Sequence, residues 1–181
     1  MVLLLHPGCS SQEKNIYIES PDKNISVKIL KRNNDFFYNV NFKGKTVIQD
    51  SKVGLIFKNN FEFPTNHNVK KVEKEFHKDT WELPWGEKRV VKDIYNEIII
   101  SLTDTNNLGM GKMVFRAYDD GIAFRYQMND NKKNQDSLII INELTEFNLS
   151  EDAQAWWTPA YKENRYESVS YTHLRAHETL G

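Results

Sequence analysis

The chain has 181 residues, enough for one domain with a substantial core and too few for two large ones. Its 24 Lys and Arg nearly balance 25 Asp and Glu, so a formal net charge of -1 gives no field that would attract nucleic acid or an anionic membrane. Apolar residues make up 39% of the chain, which excludes disorder, and we expect one folded domain with no nucleic-acid partner.

The N-terminus carries the single cysteine of the chain, Cys9. The short apolar run before HPGCSS resembles the end of a bacterial lipoprotein signal, although basic residues are missing and His6 interrupts the apolar pattern. The run is too short to span a membrane. We therefore expect residues 1–14 to be a signal remnant and linker, with Cys9 lipidated and the protein in the periplasm or anchored to the outer membrane. The alternative is an exposed thiol in a frayed terminus.

From Lys14 onward the apolar residues recur with a period of two. Ile25–Ile29 and Phe36–Phe42 alternate between apolar and polar residues and predict two antiparallel strands, the second ending at the turn Lys43-Gly44-Lys45. The run within Ile94–Leu102 is apolar on both faces and predicts a central strand packed on two sides. Shorter strands are predicted at Val53–Phe57, Val69–Phe76 and Val90–Val91.

The clearest predicted hairpin joins Lys112–Tyr118 to Ile122–Met128 through Asp119-Asp120-Gly121, where we expect Gly121 to take a positive φ. Arg116 and Arg125 point away from the large apolar residues of their own strands. A last strand pair is predicted at Ser137–Asn142 and Leu144–Leu149. Many short strands without a helical period indicate an all-β, large antiparallel β-sandwich, with a barrel as the competing closure.

Few residues suggest chemistry. Asp119 and Asp120 form the densest carboxylate pair, but turn geometry explains them better than an acid and base of a glycosidase. Arg116 and Arg125 suit a carboxylate or sugar clamp, although arginines in strands more often pair with a neighbouring acid. Glycine-rich phosphate loops, Gly-x-Ser-x-Gly elbows and Cys-His pairs are absent from the sequence.

Two aromatic and histidine patterns leave alternatives open. Trp81 and Trp85 bracket Glu82-Leu83-Pro84, a loop that suits stacking on a sugar ring, although core packing is the commoner role of Trp. His173 and His177 have the spacing of zinc ligands on one helical face, but chance spacing is the better explanation. The tail that contains them resembles translated adapter sequence, so we expect residues 169–181 to be non-native.

Several segments together resemble the N-terminal domain of glycoside hydrolase family 97. They are Tyr95-Asn96-Glu97, the hairpin from Phe115 to Tyr126, Glu143–Phe147 and Trp156-Trp157-Thr158-Pro159. The likeness covers about Ile16 to Glu167. It implies a β super-sandwich similar to that of galactose mutarotase. In the family this domain precedes a catalytic (β/α)8 barrel and a C-terminal β domain. The members are bacterial exo-acting α-glucosidases and α-galactosidases.

The resemblance also implies a metal and a partner. Family members hold calcium in the active site through several Glu, one of which comes from the N-terminal domain and matches Glu167 in the Tyr-Glu pair after the Trp-Trp segment. Calcium takes six to eight oxygen ligands, so such a Glu completes a shell built largely elsewhere. The catalytic carboxylates belong to the barrel, which acts on an α-linked oligosaccharide and needs about 250 residues.

We therefore expect residues 15–168 to be a truncated family 97 N-terminal domain that contains no catalytic residues and contributes Glu167 to a calcium site. Two other hypotheses stay open. One is a stand-alone carbohydrate-binding module of the bacterial envelope that stacks sugars on Trp81 or Trp85. The other is a structural envelope domain without a ligand.

Overall fold

The computed structural model describes residues 16–58, 60–104, 109–129, 138–152, 156–157 and 171–172. Within these ranges the chain forms thirteen β-strands and no helix, which confirms the predicted all-β class. Cys9, Glu167, His173 and His177 lie outside the described residues, so the roles predicted for them stay predictions.

The first sheet is an antiparallel meander in the order β1-β2-β3-β4. Its strands are β1 Ile16–Glu19, β2 Ile25–Arg32, β3 Asp35–Phe42 and β4 Lys45–Val53. The sequence alternation reappears in the burial, since Val27 and Ile29 are buried whereas Lys28 between them is only half-buried. The two strands predicted here are confirmed, and so is the turn at Lys43 and Gly44, both of which have positive φ.

The second sheet has the order β10-β9-β8-β7 and is also antiparallel. Its strands are β7 Asn68–Glu82, β8 Val90–Thr103, β9 Gly109–Ala117 and β10 Ile122–Met128. The predicted central strand is confirmed as part of β8, which pairs with β7 and β9, but only one of its faces is fully packed, since Ile98 and Ile100 are buried and Ile99 is half-buried. Its extent was wrong, because Val90–Val91 and Ile94–Leu102 belong to one strand, and β7 likewise continues six residues beyond Phe76.

The predicted hairpin is β9 and β10, joined by the loop Tyr118–Gly121. The register places Phe115 opposite Phe124, so the apolar residues of both strands share one face, as predicted. The backbone N–H of Tyr118 donates to the carbonyl of Gly121 at 2.8 Å. The expectation of a positive φ at Gly121 was wrong, because among the described glycines only Gly44 and Gly86 have one. A loop of four residues reverses the chain without a left-handed residue.

Smaller sheets complete the described part of the chain. One has the order β11-β5-β6, and the other pairs β12 with β13. These strands are β5 Leu55–Phe57, β6 Glu62–Phe63, β11 Ile140–Glu143, β12 Trp156–Trp157 and β13 Tyr171–Thr172. Gly54 separates β4 from β5, which divides the strand predicted over Val53–Phe57.

The last predicted strand pair does not form. Instead β11 pairs with β5, and the segment from Leu144 to Ser150 runs antiparallel along β4. Backbone hydrogen bonds join Leu144 to Gly54, Glu146 to Lys52 and Ser150 to Val47. The two predicted segments therefore cover different open edges rather than each other. Sequence alternation cannot specify this, because it indicates a strand without naming its partner.

The core lies between the two four-stranded sheets, as expected for a β-sandwich. The aromatic rings of Tyr38, Phe115 and Phe124 meet there with centroids 5.3 to 6.2 Å apart. The hydroxyl of Tyr38 donates to the carbonyl of Glu146 at 2.9 Å, which ties the covering segment to the core. The largest fully buried side chains are those of Tyr38, Phe36, Phe63, Phe115, Ile29, Ile98, Ile100, Leu102, Met113, Val27, Val53 and Val114.

Candidate functional site

A two-stranded ribbon projects from one end of the second sheet. β9 pairs with β8 only from Asn96 to Thr103, so the first six residues of β8 pair with β7 alone, from Glu82 opposite Val90 to His77 opposite Tyr95. We call residues 77–95 the arm. At about 3.3 Å per residue, the paired part of the arm extends about 20 Å beyond the sheet. Every residue from Lys78 to Val90 is exposed.

The tip of the arm carries large apolar side chains. Trp85 is 84% exposed, and Trp81, Leu83 and Val90 are each 38% to 45% exposed. The loop is closed by the backbone N–H of Leu83, which donates to the carbonyl of Arg89 at 2.8 Å. The core role considered for the two Trp is therefore wrong, and both lie at the surface. Exposed aromatic rings of this kind suit either a sugar face or an apolar protein surface.

The base of the arm is held by an ion pair. Arg116 donates from Nε to the Glu97 carboxylate at 2.5 Å, and its guanidinium lies 4.3 Å from the ring centroid of Tyr95. Tyr95 in turn stacks on His77 at 4.6 Å, the first residue of the arm. The interpretation of Arg116 as the partner of a neighbouring acid is thus confirmed. Its role is to fix the arm to the sheet.

Burial and hydrogen bonding act in opposite directions on the Arg116 guanidinium. Burial alone lowers the pKa of Arg116, but the hydrogen bonds to Glu97 and Tyr118 outweigh it and raise the pKa overall. For Tyr95 burial has the opposite effect and raises the pKa, because it disfavours the charged phenolate. The base of the arm therefore holds a charged guanidinium beside the neutral ring of Tyr95, which suits a fixed structural contact better than a proton-transfer site.

The carboxylate pair of the β9–β10 loop has a structural role. Asp119 and Asp120 are both exposed, and one carboxylate oxygen of Asp119 accepts the backbone N–H of Asp22 at 2.9 Å. The Asp22 carboxylate accepts hydrogen bonds from Ser20 and Asn24, and these lower the pKa of Asp22, with the Ser20 contact the larger cause. The turn interpretation is confirmed. The contact joins the β9–β10 loop to the β1–β2 turn.

Two concave sites lie near these residues. A cleft of about 390 Å³ separates β1 from β7 and β8 and is lined by Tyr17, Lys23, Lys74 and Phe76, among others. A smaller pocket of about 110 Å³ lies on the outer face between the two arginines Arg116 and Arg125. The cleft was not predicted, because it depends on which strands become neighbours. The smaller pocket lies between the two arginines that the sequence suggested as a clamp, but Arg116 pairs with Glu97.

The described residues do not form a metal site by themselves. They contain no group of three or more His, Cys, Asp or Glu side chains that could hold an ion. A single Glu supplies too few oxygens for calcium, so the calcium site predicted at Glu167 requires ligands from elsewhere. In the part of the chain that the structure describes, no helix is long and apolar enough to cross a membrane.

Comparison with known proteins places these features in a family. The sequence profile described as glycosyl-hydrolase 97 N-terminal matches residues 18–180. A glycoside hydrolase family 97 enzyme from Pseudoalteromonas sp. strain K8 is similar in structure both in complex with panose and in complex with acarbose, with TM-scores of 0.77 and 0.78. Sequence identity is 34%, and the match covers 87% of this chain.

The length of these relatives differs greatly from that of this chain. The match covers 24% of the Pseudoalteromonas enzyme, so the chain spans about a quarter of it. A β-arabinopyranosidase is also similar, with a TM-score of 0.66 and coverage of 76% of this chain and 22% of its own. At 20% identity that likeness supports the fold alone.

Proposed function

Because the chain belongs to the N-terminal domain family of glycoside hydrolase family 97 enzymes, we propose that it is the non-catalytic N-terminal domain of an exo-acting α-glycosidase. The observation that carries the proposal is that the match spans nearly the whole chain but only 24% of the relatives. A catalytic barrel of about 250 residues then belongs to the remaining three quarters.

An α-linked oligosaccharide is the proposed substrate of the assembled enzyme. The relatives from Pseudoalteromonas were solved with panose and with acarbose, which supports an α-glucosidase, with an α-galactosidase as the other possibility in this family.

The direct test of the proposed domain organisation is the coding sequence after codon 168 in an independent genome assembly. A frame that continues into a barrel supports the proposal, and an immediate stop contradicts it.

Calcium is the proposed metal, with Glu167 as the ligand that this chain contributes. Because the described residues supply no cluster of their own, the chain alone should bind calcium weakly. When the catalytic domain is present, calcium should raise the melting temperature through mass action, and Glu167→Gln should reduce that increase. Equal increases for the wild type and the variant would contradict the role of Glu167.

The proposed location is the bacterial periplasm or the outer membrane, with a lipid anchor on Cys9. Expression in a bacterium fed with radiolabelled palmitate should label the wild-type chain and leave Cys9→Ser unlabelled. The variant should also move from the membrane fraction to the soluble fraction. A wild-type chain without label would contradict the anchor.

A second candidate function is a stand-alone carbohydrate-binding module, which the exposure of Trp85 and Trp81 favours. It requires saturable quenching of Trp fluorescence by glucose oligomers that is lost in Trp81→Ala or Trp85→Ala. Quenching that does not saturate, or that both variants retain, would exclude this function.

A further inference from the structure

We propose that the arm is the element by which this domain docks onto the catalytic domain of its own enzyme, with Trp85 at the tip as the anchor. This inference rests on the proposed function and names the surface through which the domain binds the catalytic domain. The occupant is an apolar protein surface supplied by the three quarters of the relatives' length that lies outside the matched region.

An arm of this kind is costly to leave without a partner. Two paired strands alone are at best marginally stable in water, because each ring and aliphatic side chain at the tip stays hydrated. The arm leaves Trp81, Leu83, Trp85 and Val90 exposed together within ten residues. Scattered single apolar residues are ordinary on a surface, but a group at the end of a projecting ribbon marks a contact site.

The position of the arm also favours this partner. The segment that runs along β4 ends at Leu149 to Asp152, beside the start of β4. There the backbone N–H of Ser150 donates to the carbonyl of Val47, and Glu151 pairs with Lys45 at 2.5 Å. This is the end of the sandwich at which the β3–β4 turn bonds to the β1–β2 turn, through the backbone N–H of Lys43 and the carbonyl of Asn24.

The arm leaves the sandwich at that same end. The β1–β2 turn is bonded to the β9–β10 loop through Asp22 and Asp119, and the side chain of Asn96 at the base of the arm donates to the carbonyl of Glu19. Asp152 and the base of the arm therefore lie at the same end of the sandwich.

The charge of the arm favours a protein partner. Four Lys or Arg and four Asp or Glu cancel between Lys78 and Asp93, and Glu82 pairs with Arg89 beside the tip. An anionic partner such as a phosphate, a lipid headgroup or a nucleic acid gains nothing from such a surface. Trp anchors within a polar rim are what protein interfaces use most for affinity.

The docking surface continues from the tip to the cleft at the base. Phe76 is 62% exposed and Tyr17 is 52% exposed, and both line the cleft of about 390 Å³ beside the arm. A second exposed apolar segment, Leu138 to Ile141, competes for the same role. It lies at the end of the sandwich opposite Asp152 and the arm, because β11 pairs with β5 next to the start of β3.

The test uses the full 181-residue chain with an affinity tag, co-expressed with the Pseudoalteromonas family 97 enzyme shortened by its matched N-terminal region. Co-purification and dissociation rates are compared for the wild type, Trp85→Ser, Trp81→Ser and the matched control Leu138→Ser. We expect the pair to co-purify, Trp85→Ser to weaken binding by about tenfold or more, and Leu138→Ser to change it less than about twofold.

The alternatives give distinct results. A wild-type chain that does not retain the shortened enzyme overturns both the docking and the proposed function. Retention that neither Trp variant weakens, or that Leu138→Ser weakens instead, overturns the docking and leaves the proposed function intact. A dimer of the chain alone that Trp85→Ser abolishes in sedimentation assigns the arm to a second copy and also overturns it. Unfolding curves of Trp85→Ser should match the wild type, because the ring is 84% exposed.

Discussion

Glu97 and Arg116 lie opposite each other on β8 and β9 and form the most buried ion pair of the described residues. The Glu97 side chain is 10% exposed, so removing its partner leaves a carboxylate that water reaches poorly. We expect Arg116→Ala to lower the free energy of unfolding by about 2 kcal/mol, below the range for fully buried pairs because Arg116 keeps some exposure.

Urea unfolding at pH 7 measures this loss. Arg116→Lys should recover part of it, since an ammonium keeps the charge but not the planar contact with Tyr95. Lys45→Ala is the matched control, because the Lys45 and Glu151 side chains are each 69% exposed and such pairs contribute little. An Arg116→Ala variant as stable as Lys45→Ala would contradict the structural role of the pair.

The buried hydroxyl of Tyr38 should make the stability of the fold depend on pH in the alkaline range. Burial, with smaller contributions from Tyr126 and Glu146, raises the pKa of the Tyr38 hydroxyl to about 12, whereas an unfolded chain has about 10. The folded state therefore favours the neutral form. Its stabilising contribution is complete below pH 10 and is lost as the pH rises toward 12, by about 1 kcal/mol at pH 11.

Tyr38→Phe separates the two roles of the hydroxyl. At pH 7 the variant should be less stable by about 1 kcal/mol, because the hydrogen bond to the Glu146 carbonyl is lost. Between pH 10 and 12 its free energy of unfolding should fall less steeply than that of the wild type. A residual slope is expected from Tyr126, whose pKa burial also raises. Parallel pH profiles for the two proteins would contradict the assignment.

At this scale the sequence predicted the type of contact but not the partner. The interpretation of Arg116 as the partner of an acid was sound, because a charged side chain on a strand needs one. That the acid is Glu97 follows from the register of β8 and β9, which depends on pairing between distant segments.

In the second sheet, β9 packs closely against its neighbours at Gly111. A Cβ at Gly111 would lie 2.7 Å from the carbonyl oxygen of Gln127 and 3.1 Å from the ring of Phe63, whereas a Cβ at Gly121 would meet no atom within 4 Å. Gly111→Ala should therefore lower the free energy of unfolding by about 2 kcal/mol.

Gly121→Ala is the matched control and should change stability by less than about 0.5 kcal/mol, because its backbone does not have a positive φ. Thermal unfolding of both variants checks the pair. Two variants of equal stability would contradict the close approach of β9 to β10 and β6.

The arm is the element that sequence reasoning missed. Its strands carry charged residues on both faces, as in Lys78-Asp79 and Lys92-Asp93, and lack the one-sided apolar pattern that indicates a half-buried strand. The strands of the sandwich were predicted well where one face is buried, as in β2, β3, β9 and β10. The arm was read as short pieces, since pairing rather than burial holds it together.

For the whole molecule, the resemblance in the sequence predicted the family, and the profile match over residues 18–180 confirms it. The β-sandwich was also predicted, because alternation at regular spacing leaves few other architectures. The substrate, the calcium site and the anchor stay proposals, since they depend on Cys9, on Glu167 and on a catalytic domain.

The central claim is that this chain is a non-catalytic domain that belongs with a catalytic one. Hydrolysis of chromogenic α-glucosides and α-galactosides by the purified chain tests it most directly, with calcium present throughout. We predict no rate above that of buffer at any concentration of the chain, because we propose that the catalytic carboxylates belong to the part of the enzyme outside this domain. A rate that saturates with substrate and rises in proportion to the concentration of the chain would contradict the claim.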